Sequence, residues 1–206
     1  MLCFSSELQI IFIHIPKTGG MSIERILIEN YGFKNFTFPN GCYEMLKNDE
    51  GREGFLKYTL KYSEESKKYD LNSFKKFTFV RDPYTRANSG IRFLTENFDY
   101  YPDNINDFYE LCKERNFWYV HFILPQYKNL EDLDGNINID HIGRFENFTE
   151  DLERILFDEF KFERKDLSKY HIHKTDPKLV EYDQNVVKKL VKIIHKKDYD
   201  LFGYCT

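Results

Sequence analysis

The segment from Ile11 to Ser22 constrains the fold of this chain more than any other. Its apolar run ends in the loop Pro16-Lys-Thr-Gly-Gly, and a helical pattern begins directly afterwards. Apolar residues recur there at the i, i+3, i+4 spacing of a helix with one buried face, at Ile23, Ile26 and Leu27. The sequence therefore predicts a strand that feeds a glycine-containing loop at the N-terminus of a helix.

Such a loop favours a phosphate-like ligand. Free backbone N–H groups and the positive end of the helix dipole point into it. Gly19 and Gly20 allow close backbone approach, and Lys17 adds a mobile positive charge. Thr18 and Ser22 add hydroxyl groups. The simpler alternative is a tight turn without a ligand. The loop is not a Walker A motif, because G-x-x-x-x-G-K-[ST] is absent.

A second segment, Phe77 to Ser89, repeats this organisation. Its β-rich run is followed by Asp82, which suits an N-cap, and Pro83, which suits the first helical position. Arg81 falls at the carboxyl end of the predicted strand, where ligands of open α/β sheets lie. Ser89 follows on the helix and could help Arg81 to hold a second phosphate. A capped, salt-bridged helix start is the alternative that needs no ligand.

Strand and helix patterns alternate along the whole chain. The predicted parallel strands lie near residues 9–15, 76–81 and 138–144. Helices are predicted near 21–30, 83–97, 104–123, 148–159 and 184–196, with a helical insertion over 41–70 and a polar loop over 164–183. This alternation predicts an α/β fold of three layers, in which a central parallel sheet is flanked by helices on both faces. With 206 residues and no linker, we expect a single domain over residues 1–206.

Several segments resemble the sulfotransferases that use 3′-phosphoadenosine-5′-phosphosulfate (PAPS) as the donor. Pro16-Lys-Thr-Gly-Gly-Met-Ser22 resembles their 5′-phosphosulfate loop, and Arg81-Asp-Pro-Tyr-Thr-Arg-Ala-Asn-Ser89 resembles their 3′-phosphate element. The carbohydrate sulfotransferases, including the heparan-sulfate 2-O type, are the most similar in pattern. Supporting resemblances occur at His121-Phe-Ile-Leu-Pro-Gln126, at Ile139 to Asn147 and at Asp198-Tyr-Asp-Leu-Phe-Gly-Tyr204.

The resemblance implies a P-loop-like fold and a donor, 3′-phosphoadenosine-5′-phosphosulfate, whose sulfuryl group is transferred in line to an acceptor. Lys17 would then neutralise charge on the leaving phosphate. The 5′-phosphate would be bound by the loop residues, which are Thr18, Gly19, Gly20, Met21 and Ser22. Arg81 and Ser89 would bind the 3′-phosphate of the donor and of the product, 3′-phosphoadenosine-5′-phosphate. No metal is required, because Lys17 and the loop dipoles supply the electrostatic stabilisation.

The catalytic base departs from the family pattern. Many relatives place a His between the two phosphate motifs, whereas this chain has no His between residues 40 and 76. Tyr58 falls at the matching position, but an unperturbed Tyr pKa near ~10 makes it a poor base at neutral pH. Glu44, Glu53 or His121 could serve instead. The remaining alternatives are an amine acceptor, or slow or absent transfer.

Composition limits the partners. The net charge of −4 argues against nonspecific nucleic-acid binding. No apolar stretch reaches the ~18–20 residues of a membrane span, and no signal peptide is recognised, so the sequence predicts a cytoplasmic enzyme. The expected partner is an acceptor glycan or a small hydroxyl compound. Neither the oligomeric state nor the acceptor has a sequence signal. The rival interpretations are a P-loop-like nucleotide kinase and a nucleotide-binding protein that has lost transfer activity.

Overall fold

The computed structural model describes residues 2–39, 52–97, 102–167, 170 and 182–205. Within these residues, five strands form one sheet in the order β3-β1-β2-β4-β5. The strands are β1 (Leu2–Ser5), β2 (Ile10–Ile13), β3 (Lys34–Asn35), β4 (Lys75–Val80) and β5 (His141–Arg144).

The centre of the sheet is parallel, as predicted. Strand β2 pairs with β4, and β4 pairs with β5, both in parallel register. The sequence did not predict the antiparallel strands at one edge of the sheet. There β1 pairs antiparallel with β2, and β3 pairs antiparallel with β1. The first apolar residues of the chain thus form the first strand of a β-hairpin with β2. The turn between the two strands ends at Gln9, which has a φ of 54°.

Helices cover both faces of this sheet. Among the described residues they are α1 (Gly20–Tyr31), α2 (Phe55–Tyr62), α3 (Pro83–Asn97), α4 (Ile105–Glu114), α5 (Asn116–Trp118), α6 (Phe148–Glu153), α7 (Gln184–Ile194) and α8 (Lys196–Phe202). Wider π-helical turns follow α5 (Tyr119–Ile123) and α6 (Arg154–Glu159). Short 3₁₀ helices cover Glu65–Lys67, Gln126–Leu130 and Phe145–Asn147.

Strand β2 shows how the three layers form. Because successive side chains of a strand point to opposite faces, Ile11 and Ile13 enter one apolar cluster while Ile10 and Phe12 enter the other. The first cluster contains residues of α2, and the second contains residues of α1 and α6. A third cluster joins α3, α4, α7 and α8. The predicted α/β sandwich of helices around a central sheet is confirmed.

Two helix predictions need correction. Residues 104–123 do not form one helix, because Arg115 adopts an extended conformation with φ −112° and ψ 108° and ends α4. The last predicted helix, 184–196, is interrupted at His195, and a further helix, α8, follows it. His195 leaves the helical conformation, with φ −107° and ψ 22°, while its side chain is fully buried. The predicted insertion over 41–70 and the loop over 164–183 lie only in part within the described residues.

The parallel pairing of β2 and β4 positions the candidate site. Ile13 is in register with Thr78, and the Thr78 hydroxyl donates to the Ile13 carbonyl at 2.7 Å. Both strands therefore end at the same edge of the sheet. The loop after β2 and the segment after β4 emerge side by side, which is where ligands bind in open α/β sheets.

Candidate active site

The loop after β2 has a strained and well-supported backbone. Lys17 lies in the left-handed region with a φ of 70°, and Gly19 does so with a φ of 84°. Between them, Thr18 is fully buried, and its hydroxyl donates to the Ile15 carbonyl at 2.8 Å. A left-handed non-glycine residue is uncommon and is held by its surroundings. The loop is thus fixed in shape before any ligand arrives.

The N-terminus of α1 fits an anionic group. Gly19 is its N-cap and offers no side chain to cap the helix, and its first turn holds no acidic residue. The Ser22 N–H donates to the Gly19 carbonyl at 3.1 Å, while Met21 is 65% exposed. A helix start without a capping side chain or a carboxylate directs its N–H groups and positive dipole end outward. The start of α1 is thus open to an anionic group, and phosphate binding by this loop stays a prediction.

A side chain at Gly20 would clash with the residue that packs beneath the loop. A Cβ atom at this position would stand 2.0 Å from Cδ2 of the His14 ring. His14 is held in turn by Glu24 of α1, with 3.2 Å between Nδ1 and Oε1. Burial lowers the pKa of His14, and the His14 contact outweighs burial to lower the pKa of Glu24 to about 2. His14 is therefore part of the support of this loop.

Arg81 lies directly after β4 and contacts the loop. Its Nη1 donates to the Lys17 carbonyl at 3.3 Å, and its Nε donates to the Thr85 hydroxyl at 3.2 Å. The guanidinium carbon lies 4.2 Å from the centre of the Phe145 ring. Burial lowers the pKa of Arg81, although an arginine remains charged at neutral pH. The two predicted anion-binding elements are therefore in direct contact.

Helix α3 begins as the sequence predicted. Pro83 is its first residue, and the Asp82 carboxylate accepts the Thr85 N–H at 2.8 Å. Further along, Ser89 is 7% exposed and Arg86 is fully buried. Arg86 donates to the Leu124 carbonyl at 2.9 Å, so it braces the core. Ser89 lies on α3 itself, whereas Arg81 lies between β4 and α3, and the role of Ser89 in phosphate binding stays a prediction.

The Lys17 ammonium lies over an aromatic ring. Its Nζ is 4.1 Å from the centre of the Phe93 ring on α3, within the range of a cation–π contact. The pKa of Lys17 is lowered to about 8. Burial is the main cause, and the positive charges of Arg92 and Arg81 contribute. Three cations thus share one edge of the sheet, which is the electrostatic character of a polyanion site.

His121 belongs to the same group of side chains. Its ring stacks on Phe93 at 5.1 Å between centroids and contacts Phe117 at 4.3 Å. Its Nδ1 lies 2.7 Å from the Phe117 carbonyl, which can only accept, so Nδ1 carries the proton and Nε2 carries the lone pair. Burial lowers the pKa of His121 to about 4, and the charge of Lys17 contributes in the same direction. At neutral pH the imidazole is therefore uncharged.

The other candidate bases lie in different surroundings. Tyr58 lies on α2, is 6% exposed and packs into the first apolar cluster, with its ring 5.5 Å from Phe38 and 4.8 Å from Tyr62. Glu53 is exposed and pairs with Lys57 at 3.6 Å. Glu44 lies outside the described residues. Of the candidates within the described residues, His121 contacts a side chain that also contacts Lys17, namely Phe93.

Sequence reasoning missed three contributors to this group. Phe93 and Arg92 follow Ser89 by one helical turn, and that i, i+3, i+4 spacing was the available signal. Phe145 supports Arg81 from the segment after β5, and no local pattern indicates that contact.

Among the described residues, no group of three or more His, Cys, Asp or Glu could hold a metal ion. In the same part of the chain, no helix has the length and apolarity needed to cross a membrane.

Comparison with known proteins assigns the chain to a family. Neither the curated proteins nor the solved structures include a significant match. A family model described as "Sulfotransferase family" matches residues 1–205, which is nearly the whole chain and includes both elements predicted to bind anions. With a loop at the α1 N-terminus and a cationic strand end in contact at one sheet edge, this chain belongs to the sulfotransferase family.

Proposed function

We propose that this protein transfers a sulfuryl group from 3′-phosphoadenosine-5′-phosphosulfate to the hydroxyl of a carbohydrate acceptor. The observation that carries the proposal is the contact between Arg81 and the Lys17 carbonyl at 3.3 Å. It brings two cationic elements together at one edge of the sheet, where a single ligand with two phosphate groups can contact both. Membership of the sulfotransferase family supports sulfuryl transfer in general.

Each element has a distinct task in this proposal. The N–H groups at the start of α1, with Gly19 and Gly20, bind the 5′-phosphate end. Arg81 and Ser89 bind the 3′-phosphate. When bound, the donor supplies the electrophilic sulfuryl group. Lys17 places its ammonium beside this loop, where it stabilises negative charge on the leaving oxygen.

His121 is the base that the geometry favours. Its Nε2 carries a lone pair because the ring proton is on Nδ1, which donates to the Phe117 carbonyl, and its ring shares Phe93 with Lys17. A neutral imidazole can accept the proton of an acceptor hydroxyl. The pKa of about 4 makes it a weak base in the free protein. His121→Asn should therefore reduce turnover while nucleotide affinity is kept.

Calorimetry with adenosine 3′,5′-bisphosphate tests the donor assignment. Arg81→Ala should weaken binding by roughly 1.5–3 kcal/mol, the scale of a charge-assisted hydrogen bond. Arg25→Ala, which removes an exposed arginine paired with Glu29, is the matched control and should bind like the wild type.

Lys17→Ala should reduce turnover more than affinity. Its control is Lys34→Ala, which removes an exposed lysine.

Transfer assays separate the alternatives. Radiolabelled sulfate should move from the donor to members of a glycan panel, and an amine acceptor in the same panel tests the other acceptor class. Nucleotide binding that requires Mg²⁺ would favour a kinase. Tight bisphosphate binding without transfer to any acceptor would favour a nucleotide-binding protein without activity. Absence of bisphosphate binding would overturn the proposal.

A further inference from the structure

The Gln126 side chain makes an unusual pair of contacts with the backbone of Arg81. Its Oε1 accepts the Arg81 N–H at 2.9 Å, and its Nε2 donates to the Arg81 carbonyl at 2.8 Å. Strand β4 ends one residue earlier, at Val80. The amide thus continues the hydrogen bonding of the sheet for one more residue. Gln126 is fully buried, so water does not compete for these bonds.

Gln126 is held in turn by a carboxylate from the C-terminal helix. Asp198 of α8 accepts the Gln126 N–H at 2.8 Å through one oxygen and the Tyr127 N–H at 2.9 Å through the other. Asp198 is also fully buried. A buried carboxylate is costly unless its oxygens are hydrogen-bonded, and here each oxygen receives a backbone donor. The position of Asp198 therefore fixes the start of the 3₁₀ helix that carries Gln126.

We propose that Gln126 and Asp198 are positioning residues that aim the Arg81 guanidinium at the 3′-phosphate of the nucleotide. The inference rests on the proposed function, because it takes Arg81 as the 3′-phosphate ligand. The chain of contacts runs from α8 through Asp198 and Gln126 to the Arg81 backbone. It gives a physical role to two sequence motifs that Lys17 and the loop do not explain, namely His121–Gln126 and Asp198–Tyr204.

The test compares two nucleotides that differ only in the 3′-phosphate. Affinities for adenosine 3′,5′-bisphosphate and adenosine 5′-monophosphate are measured by calorimetry for the wild type, Gln126→Leu, Gln126→Glu and Asp198→Asn. The matched control is Asn129→Leu, which alters another fully buried amide in the same 3₁₀ helix. Asn129 donates to the Pro125 carbonyl at 3.2 Å and not to Arg81.

We expect the Gln126 and Asp198 variants to lose about tenfold in bisphosphate affinity, the lower end of what outer hydrogen bonds contribute at metal sites. Their monophosphate affinity should stay within about twofold of the wild type, because Gln126 bonds the Arg81 backbone and not the 5′-phosphate loop, which Arg81 contacts through a long bond of 3.3 Å to the Lys17 carbonyl. The ratio of the two affinities is a readout that general destabilisation does not move. Asn129→Leu should keep the wild-type ratio.

Each other outcome overturns a specific statement. A wild type that does not distinguish the two nucleotides would overturn the assignment of Arg81, and with it the proposed function. A wild type that distinguishes them, with variants that keep the same ratio, would overturn the positioning role alone. If every Gln126 and Asp198 variant failed to fold while Asn129→Leu folded, these contacts would serve stability, and the positioning role would also be overturned.

Discussion

At the scale of single residues, Lys17 combines a left-handed backbone, a cation–π contact and a lowered pKa of about 8. Its ammonium loses its proton as the pH rises through that value. Affinity for adenosine 3′,5′-bisphosphate should therefore fall by about tenfold between about pH 7 and about pH 9, where the ligand charge is constant. Calorimetry at stepped pH measures this dependence.

Lys17→Arg is the matched control for that dependence, because a guanidinium stays charged throughout this range. Its affinity should be flat with pH, even if it is lower than that of the wild type. Arg92→Gln removes one of the neighbouring charges that lower the Lys17 pKa. In this variant the fall in bisphosphate affinity should therefore begin at a higher pH. A wild-type affinity that does not change with pH would contradict the role given to the ammonium.

Gly20 and His14 form the second residue-scale prediction. Gly20→Ala places a methyl group against the His14 ring and should lower the free energy of unfolding by about 1–3 kcal/mol, as overpacking does. In a His14→Ala background the same change should cost much less. Urea unfolding of the two single variants and the double variant measures the coupling. Additive costs would show that the ring does not limit this position, and Met21→Ala is the exposed neighbouring control.

At the scale of elements, the start of α3 depends on one carboxylate. Asp82→Ala removes the acceptor of the Thr85 N–H and should lower the free energy of unfolding by about 1 kcal/mol. Asp82→Asn should retain most of that stability, because its amide oxygen can accept the same bond. Asp183 caps α7 through the Asn185 N–H at 2.8 Å and provides a comparison distant from Arg81. Equal stability of Asp82→Ala and the wild type in chemical unfolding would exclude the cap.

Local signals account for which elements the sequence predicts well. Helices α1 and α3 were located closely because each follows a turn with its own chemistry, Gly19-Gly20 in one case and Asp82-Pro83 in the other. The break at Arg115 has no such local signal, since neither glycine nor proline occurs from residue 104 to residue 123. Tertiary packing determines the course of the chain there, with α4 and the following turns sharing one apolar cluster.

At the scale of the whole molecule, buried titratable groups make stability depend on pH. Burial lowers the pKa of His14, His195 and His121, the last to about 4, so the unfolded chain binds more protons as the pH falls below ~6.5. Stability should therefore decrease from about pH 6.5 downward. Glu24, with a pKa lowered to about 2, loses its stabilising charge over a still lower range.

Urea unfolding at stepped pH tests this dependence. Lowering the pKa of His121 from 6.5 to about 4 corresponds to about 3 kcal/mol of this pH-dependent stability. His121→Phe cannot titrate, and its ring can pack between Phe93 and Phe117. We expect this variant to lose less stability than the wild type between about pH 6.5 and about pH 4. An identical pH dependence would mean that His121 is not held neutral by its surroundings.

The sequence by itself determined the parts of this protein whose physics is local: the central parallel strands, the helices that follow them and the two turns that we expect to bind anions. Backbone conformation, capping and side-chain periodicity act over a few residues, so a short segment contains their signal. Only the tertiary structure decided what those turns contact. The Lys17–Phe93–His121 group and the chain from Asp198 through Gln126 to Arg81 join residues that are distant in sequence, because packing of the helices onto the sheet brings them together.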